Sequence, residues 1–408
     1  MPSTYARLDR AELATLVPEL LLVGQLIDRS GMAWCISAFG REEMARVAIE
    51  EWAGASPVYT RRMQRALGYE GTDVVTIFKG LQLDIGAPPQ FMDFRYEVQD
   101  PWHGTFHLDH CGALLDVEPM GEAYVRSMCH DIEDPTFDAT AVATNPRAQV
   151  RPVHRPPRPP ADVPYDPRPH CAWTVTIDES HPPVSPLPAY HVIERTRAAT
   201  LPLDPIDPSD DGAPDYSGPL LSDLDFSAFS HSALVRIADE VCLQMHLLHL
   251  SFVHAVGRRA DGEQALEIAT KQLVGIAGIA AERIARALGT DDPMRVLALH
   301  PLLNPAAYVD ATLAGDTLTV RPSPAWEDAA WITLCGPGRE RPLRALLRAV
   351  DPYLDVEVTG SPERWTATVV RRAEPAPEAD EVAVTRFSTG SSFRFEPRHS
   401  LPITPVPH

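Results

Sequence analysis

Three short segments in the first half of the chain set a thiol beside an imidazole: His107-Leu-Asp109-His110-Cys111, Cys129-His130-Asp131 and His170-Cys171. Reduced cysteine and neutral imidazole are favoured ligands of zinc, with iron as the alternative, and a thiolate beside a cation is a competent nucleophile. The expected metal ligands are therefore His107, His110, Cys111, Cys129, His170 and Cys171. A metal held with one position open lowers the pKa of a bound water. Asp109 or Asp131 then serves as general base, and Arg147 holds a substrate carboxylate. In a metal-free variant Cys129 attacks, with His130 or His170 as its base.

The positions of these residues depend on the elements that carry them. Thr105–Cys111 reads as a strand, on which His107, Asp109 and Cys111 share one face and His110 takes the other. Its hairpin partner is Phe91–Val98, across the turn-rich Asp100–Gly104. Upstream, Arg41–Ala53 is expected to be a helix, with Ser56-Pro57 opening a second one that Gly68 ends and Thr72–Ile85 following. Downstream, a helix near Gly121–Glu133 is expected to stop at Asp134-Pro135, before a strand over Ala172–Ile177.

The same order recurs later at an offset of 221 residues: RALG stands at 65–68 and 286–289, and Ser30, Ala48 and Arg62 meet Ser251, Ala269 and Arg283. The second series runs through helices over Glu263–Leu288, a short helix from Asp292-Pro293, a hairpin (Tyr308–Leu313 and Thr317–Arg321), a helix over Pro342–Val350 and a strand over Trp365–Val370. The expected fold is thus α+β, two tandem copies of a helices-then-antiparallel-hairpin domain. The expected division is 1–177 for the domain with the site, 178–222 for a Pro/Asp-rich linker, 223–372 for a degenerate copy and 373–408 for a Pro/Ser-rich tail in which FSTGSSFRFEP docks as a strand. Residues that make the fold should recur in both copies, whereas residues that do chemistry need not. Thr-Leu-Thr-Val-Arg in the second copy replaces the first copy's His/Asp/Cys strand, and Glu363-Arg364-Trp365 replaces His170-Cys171-Ala-Trp173. The Trp recurs and the Cys/His cluster does not. Cys242, His246 and His249 share a helix face, but leucines surround them and they read as core.

Composition narrows the function further. With 36 basic and 56 acidic residues the chain carries a formal charge of −20, which disfavours nucleic-acid and anionic-membrane partners. No apolar run is long enough to span a bilayer, and six cysteines without tight spacing fit a reducing cytoplasm better than a disulfide framework. No dinucleotide, P-loop, serine-elbow or zincin motif occurs.

Cys129 with Asp131, then Asn145-Pro146-Arg147, then Cys171 with Trp173 resembles the L-2-amino-thiazoline-4-carboxylic acid hydrolase family over residues 129–174. The resemblance implies hydrolysis of a carbon–nitrogen bond in a small cyclic or amide-like acid. The expectation is a metal- or Cys-dependent hydrolase with a small-molecule substrate, forming a homodimer through its second copy. The alternative is a non-catalytic sensor that binds a metal or small ligand.

Overall fold

The structure, a computed structural model, describes residues 2–157 and 170–405. In the first half, the long helices α1 (Arg10–Phe39) and α2 (Arg41–Ala66) precede the short α3 (Val74–Leu81) and the hairpin β1 (Met92–Asp100) and β2 (His103–Cys111). After the hairpin come α4 (Gly112–Val117), α5 (Glu122–Arg126), a π-helical turn at Ser127–Ile132, and α6 (Glu133–Ala141). The strands β3 (Ala148–His154) and β4 (Cys171–Ile177) complete an antiparallel sheet of order β1-β2-β4-β3. Two short helices, α7 (Pro188–Ile193) and α8 (Arg197–Thr200), interrupt the connecting segment.

The second half follows with α9 (His231–Gly257), α10 (Gly262–Ala287), α11 (Pro293–Leu299), the hairpin β5 (Ala311–Ala314) and β6 (Thr317–Val320), α12 (Pro324–Glu327), α13 (Arg341–Val350), and the strands β7 (Leu354–Ser361) and β8 (Arg364–Arg371). Its sheet has the order β5-β6-β8-β7, again antiparallel, and α14 (Asp380–Arg386) closes the chain's regular structure. The α+β expectation holds. No helix among the described residues is long and apolar enough to cross a membrane.

The long helices pair across the halves, α1 on α10 and α2 on α9, so one apolar core runs through both. The sequence matches at offset 221 mark the contacts that hold this core together. Arg62 is buried and grips Glu240 of α9 with two hydrogen bonds of 2.8 and 3.1 Å; Arg283, buried too, grips Glu19 of α1 at 2.6 Å. Both the arginines and the glutamates are related by that offset. So are two close approaches: a Cβ on Gly54 would lie 2.3 Å from the hydroxyl of Ser251, and one on Gly275 would lie 2.4 Å from that of Ser30. Only glycine lets the helices come so near.

Four local expectations need correction. Helix α2 runs unbroken through Pro57; the proline forfeits one backbone bond, and burial of α2 against α9 carries the helix past it. The helix near Gly121 does not stop at Asp134-Pro135 but continues as α6 to Ala141. The wide π turn precedes it, so the missing N–H of Pro135 falls beside a seam where the regular ladder is already broken. The edge strands β3 and β7 went unpredicted; Pro152 interrupts β3 and breaks its alternation. FSTGSSFRFEP docks, but as a tight turn whose backbone carbonyls at Gly390, Ser391 and Phe393 accept from Arg283, not as a strand.

Candidate functional site

The Cys/His residues of the first half fall into four separate places. Residues Gly104, Phe106 and Leu108 of β2 face the core, which turns His107 and Asp109 outward. There the two sit 3.4 Å apart, with Arg95 at 3.5 Å from Asp109. Cys111 does not join them as the alternation predicts. Three steps of β2, Leu108 to Cys111, match two of β1, Phe94 to Met92. That bulge turns the thiol inward, where it lies against Met92. His110 packs with His170 and Phe393, ring centres 6.5 and 6.1 Å away, and burial lowers its pKa.

His130 contacts the carbonyl oxygen of Pro156 at 2.7 Å through its Nε2, and Asp131 is exposed. Arg147 donates to the backbone carbonyls of Glu179 and His181, fastening that loop instead of facing a cavity. Its neighbours Arg151 and Arg155 pair with Asp138 and Asp134.

The three cysteines do gather. Cys111, Cys129 and Cys171 are buried around Glu133, close enough for one another's charge and that of Glu133 to disfavour ionisation. Burial is the larger cause, and it pushes the Cys111 thiol up to about 12 and the other two upward as well. Raised thiols disfavour the thiolate that the metal-free variant needs of Cys129. Among the described residues no group of three or more His, Cys, Asp or Glu is arranged to hold a metal ion. The six expected ligands therefore do not fit one zinc or iron centre.

Beside Glu133 lies a cavity of about 320 Å³, lined mostly by the first half. Helix α1 lends it Gln25, Asp28 and Arg29; α2 lends Trp52 and Tyr59; the turn after α3 lends Asp84; and α6 lends Glu133 and Phe137. Val384 to Ser388, from α14 and the turn behind it, wall the mouth. That turn is fixed by Asp116 of α4, which accepts from the backbone and hydroxyl of Thr389, both at 2.7 Å.

Each carboxylate in this cavity is held differently. Asp28, 2% exposed, accepts from the Trp52 indole at 3.1 Å and lies 2.8 Å from its neighbour Arg29. Asp84 accepts from the Tyr59 hydroxyl at 2.8 Å and the Gly86 backbone N–H at 2.7 Å, yet burial outweighs both and raises its pKa to about 6. The second half steadies it: Gln244 of α9 accepts from the N–H of Ile85 and donates to the carbonyl of Leu83, clamping the residues on either side. Glu133 has an oxygen without a hydrogen-bond partner, and burial raises it to about 8 against the opposing pull of Arg155. Behind Asp28, Glu51 is fully buried with neither oxygen bonded, and burial together with the Asp28 charge raises it well above the carboxylate range. Buried ionisable groups of this kind are costly to the fold, and they mark sites of chemistry or binding.

The second half treats the matching positions in the opposite way. Gln25, Asp28 and Glu51 correspond at the same offset to His246, His249 and Gln272. His249 hydrogen-bonds to Gln272 at 2.8 Å, His246 to the carbonyl of Asn304 at 2.9 Å, and the Trp331 ring packs on both imidazoles at 5.0 and 5.4 Å. Burial lowers the two histidines to about 4 and about 3, leaving a neutral, filled core. The core reading of this face is borne out.

The fold is α+β, and among the described residues it forms an acid-lined cavity. No family model, curated protein or solved structure matches the chain. Cysteine and histidine, the residue types that stand out as ligands in the sequence, do not line the cavity. A signal is present nonetheless: Gln25 interrupts the apolar run Leu20–Ile27 of α1, Asp28 and Arg29 end it, and Glu51 stands in α2 where its counterpart is neutral.

Proposed function

We propose that the first-half cavity is the active site of a hydrolase that cleaves a carbon–nitrogen bond in a small molecule by carboxylate acid–base chemistry. The observation that carries this reading is the pair Asp84 and Glu133, which line one cavity with pKa values near 6 and near 8. At neutral pH Asp84 is ionised and able to take a proton from an attacking water, while Glu133 keeps the proton that a departing nitrogen needs. Tyr59 and the backbone N–H of Gly86 orient the base. The apolar walls exclude bulk water, which strengthens every charge interaction inside.

The halves themselves we read as two copies of one helices-and-hairpin unit, of which the second keeps the gripping contacts and has filled its site. Shared sheet order and the reciprocal Arg–Glu and Gly–Ser contacts support that reading.

The test is turnover of a panel of small amides, lactams and cyclic amidines, scored by amine or ammonia release. Asp84→Asn and Glu133→Gln should each lower kcat by about 100-fold or more. The pH profile of the parent should be bell-shaped, with limbs near 6 and 8. Binding without turnover across the panel would leave the cavity as the pocket of a ligand sensor instead.

A further inference from the structure

The hydrogen-bonding character of the cavity narrows what it takes. Its lining holds four carboxylates, Asp28, Asp84, Asp116 and Glu133, against one guanidinium, Arg29, which is already at 2.8 Å from Asp28. Gln25 is only 4% exposed, and its carbonyl oxygen has no partner. One oxygen of Glu133 is also unbonded, and the Asp28 oxygen nearest Arg29 has ion contact without a well-aligned hydrogen bond. The Gln25 and Asp28 oxygens are acceptors, against one unpartnered donor in the lining, the Nε of Arg29. Buried acceptors in excess of donors are costly, so the complementary ligand is one that brings N–H donors. A ligand carboxylate would instead add a negative charge to a low-dielectric, acid-lined space. Trp52 and Phe137 add aromatic lining that suits an apolar body attached to a cation.

We propose that the ligand of this cavity is a protonated amine carrying a small apolar body, bound through Gln25 and Asp28, and that it is not the carboxylic acid that the sequence resemblance implies. This rests on the reading of the cavity as the ligand site, but not on catalysis.

The experiment is calorimetric titration of the full-length chain at pH 7 with three probes of similar shape: benzylammonium, benzyl alcohol and benzoate. Benzylammonium should bind, and at least about tenfold more tightly than either of the others. Asp28→Asn should weaken it by about tenfold or more, as loss of a charge-assisted contact does. If Asp28→Asn fails to fold by circular dichroism, Gln25→Leu, which removes a neutral acceptor from the same wall, carries the same comparison. Benzoate or the alcohol binding as tightly as the cation overturns the inference, as does absence of binding by benzylammonium or indifference of its affinity to the variants. Cation binding with no turnover on the amide panel would sink the hydrolase and leave this inference standing. Turnover without a cation preference does the reverse.

Discussion

Replacing Glu133 with Gln should make the protein more stable, and increasingly so as the pH rises. In the folded chain this carboxyl is raised from 4.5 to about 8, chiefly by burial. Between those two values the folded state therefore holds a proton that the unfolded state releases. Stability falls with pH wherever the folded state binds more protons, so the parent loses stability from about pH 4.5 upward and stops losing it only above about pH 8. Integrated with 1.36 kcal/mol per unit, the penalty is at most about 3 kcal/mol at pH 7 and about 5 kcal/mol at pH 9. Glutamine has nearly the same shape and cannot ionise, so it escapes this cost. Urea unfolding followed by circular dichroism at pH 5, 7 and 9 gives the difference between Glu133→Gln and parent directly. Asp84, near 6, contributes its own slope but is common to both proteins and cancels. A difference that stays constant within about 0.5 kcal/mol from pH 5 to 9 would refute the burial argument for Glu133.

Three further outcomes follow from the geometry. Glu240→Gln should destabilise by about 3–5 kcal/mol, because it strands the buried Arg62 charge, whereas Arg62→Met should cost less, since Arg236 still pairs with Glu240; a double-mutant cycle in urea measures this. Gly275→Ala should lower stability by about 1–3 kcal/mol or more, since its methyl would meet the hydroxyls of Ser30 and Thr385, each at 2.4 Å, and a thermal melt showing no loss would contradict the close approach. All six cysteines are free and buried, so a thiol reagent should label the native chain slowly and release a six-thiol signal only in denaturant.

Much of the framework was readable because it depends on local chemistry. Gly68 and Gly289 both adopt positive φ, 61° and 57°, where the repeated RALG ends each long helix. Asp292 caps α11 through the N–H of Met294, as Asp-Pro at a helix start suggests. The matched Ser30/Ser251 and Arg62/Arg283 were visible as letters, but what they do was not: their partners lie in the opposite half, a relation no window of sequence contains. The site was hidden for a related reason. Its carboxylates come from α1, the turn after α3, α4 and α6, and only the fold brings them to one space. The cysteines were conspicuous by type, yet their conspicuousness reflected packing. A bulge invisible to simple alternation moved Cys111 off the face of His107 and Asp109.

The crosswise grip of the helical hairpins has a consequence for how such a chain can change. In an assembly of identical subunits, every substitution appears on both sides of the axis, so an acid placed in one core is placed in the other. Here the partners are joined end to end, and the contact is always made at the same effective concentration, whatever the dilution. One side carries carboxylates with unpartnered oxygens, whereas the other packs Trp331 on two imidazoles at the matching positions. Such divergence at matching positions is available to a single polypeptide and closed to a symmetric pair.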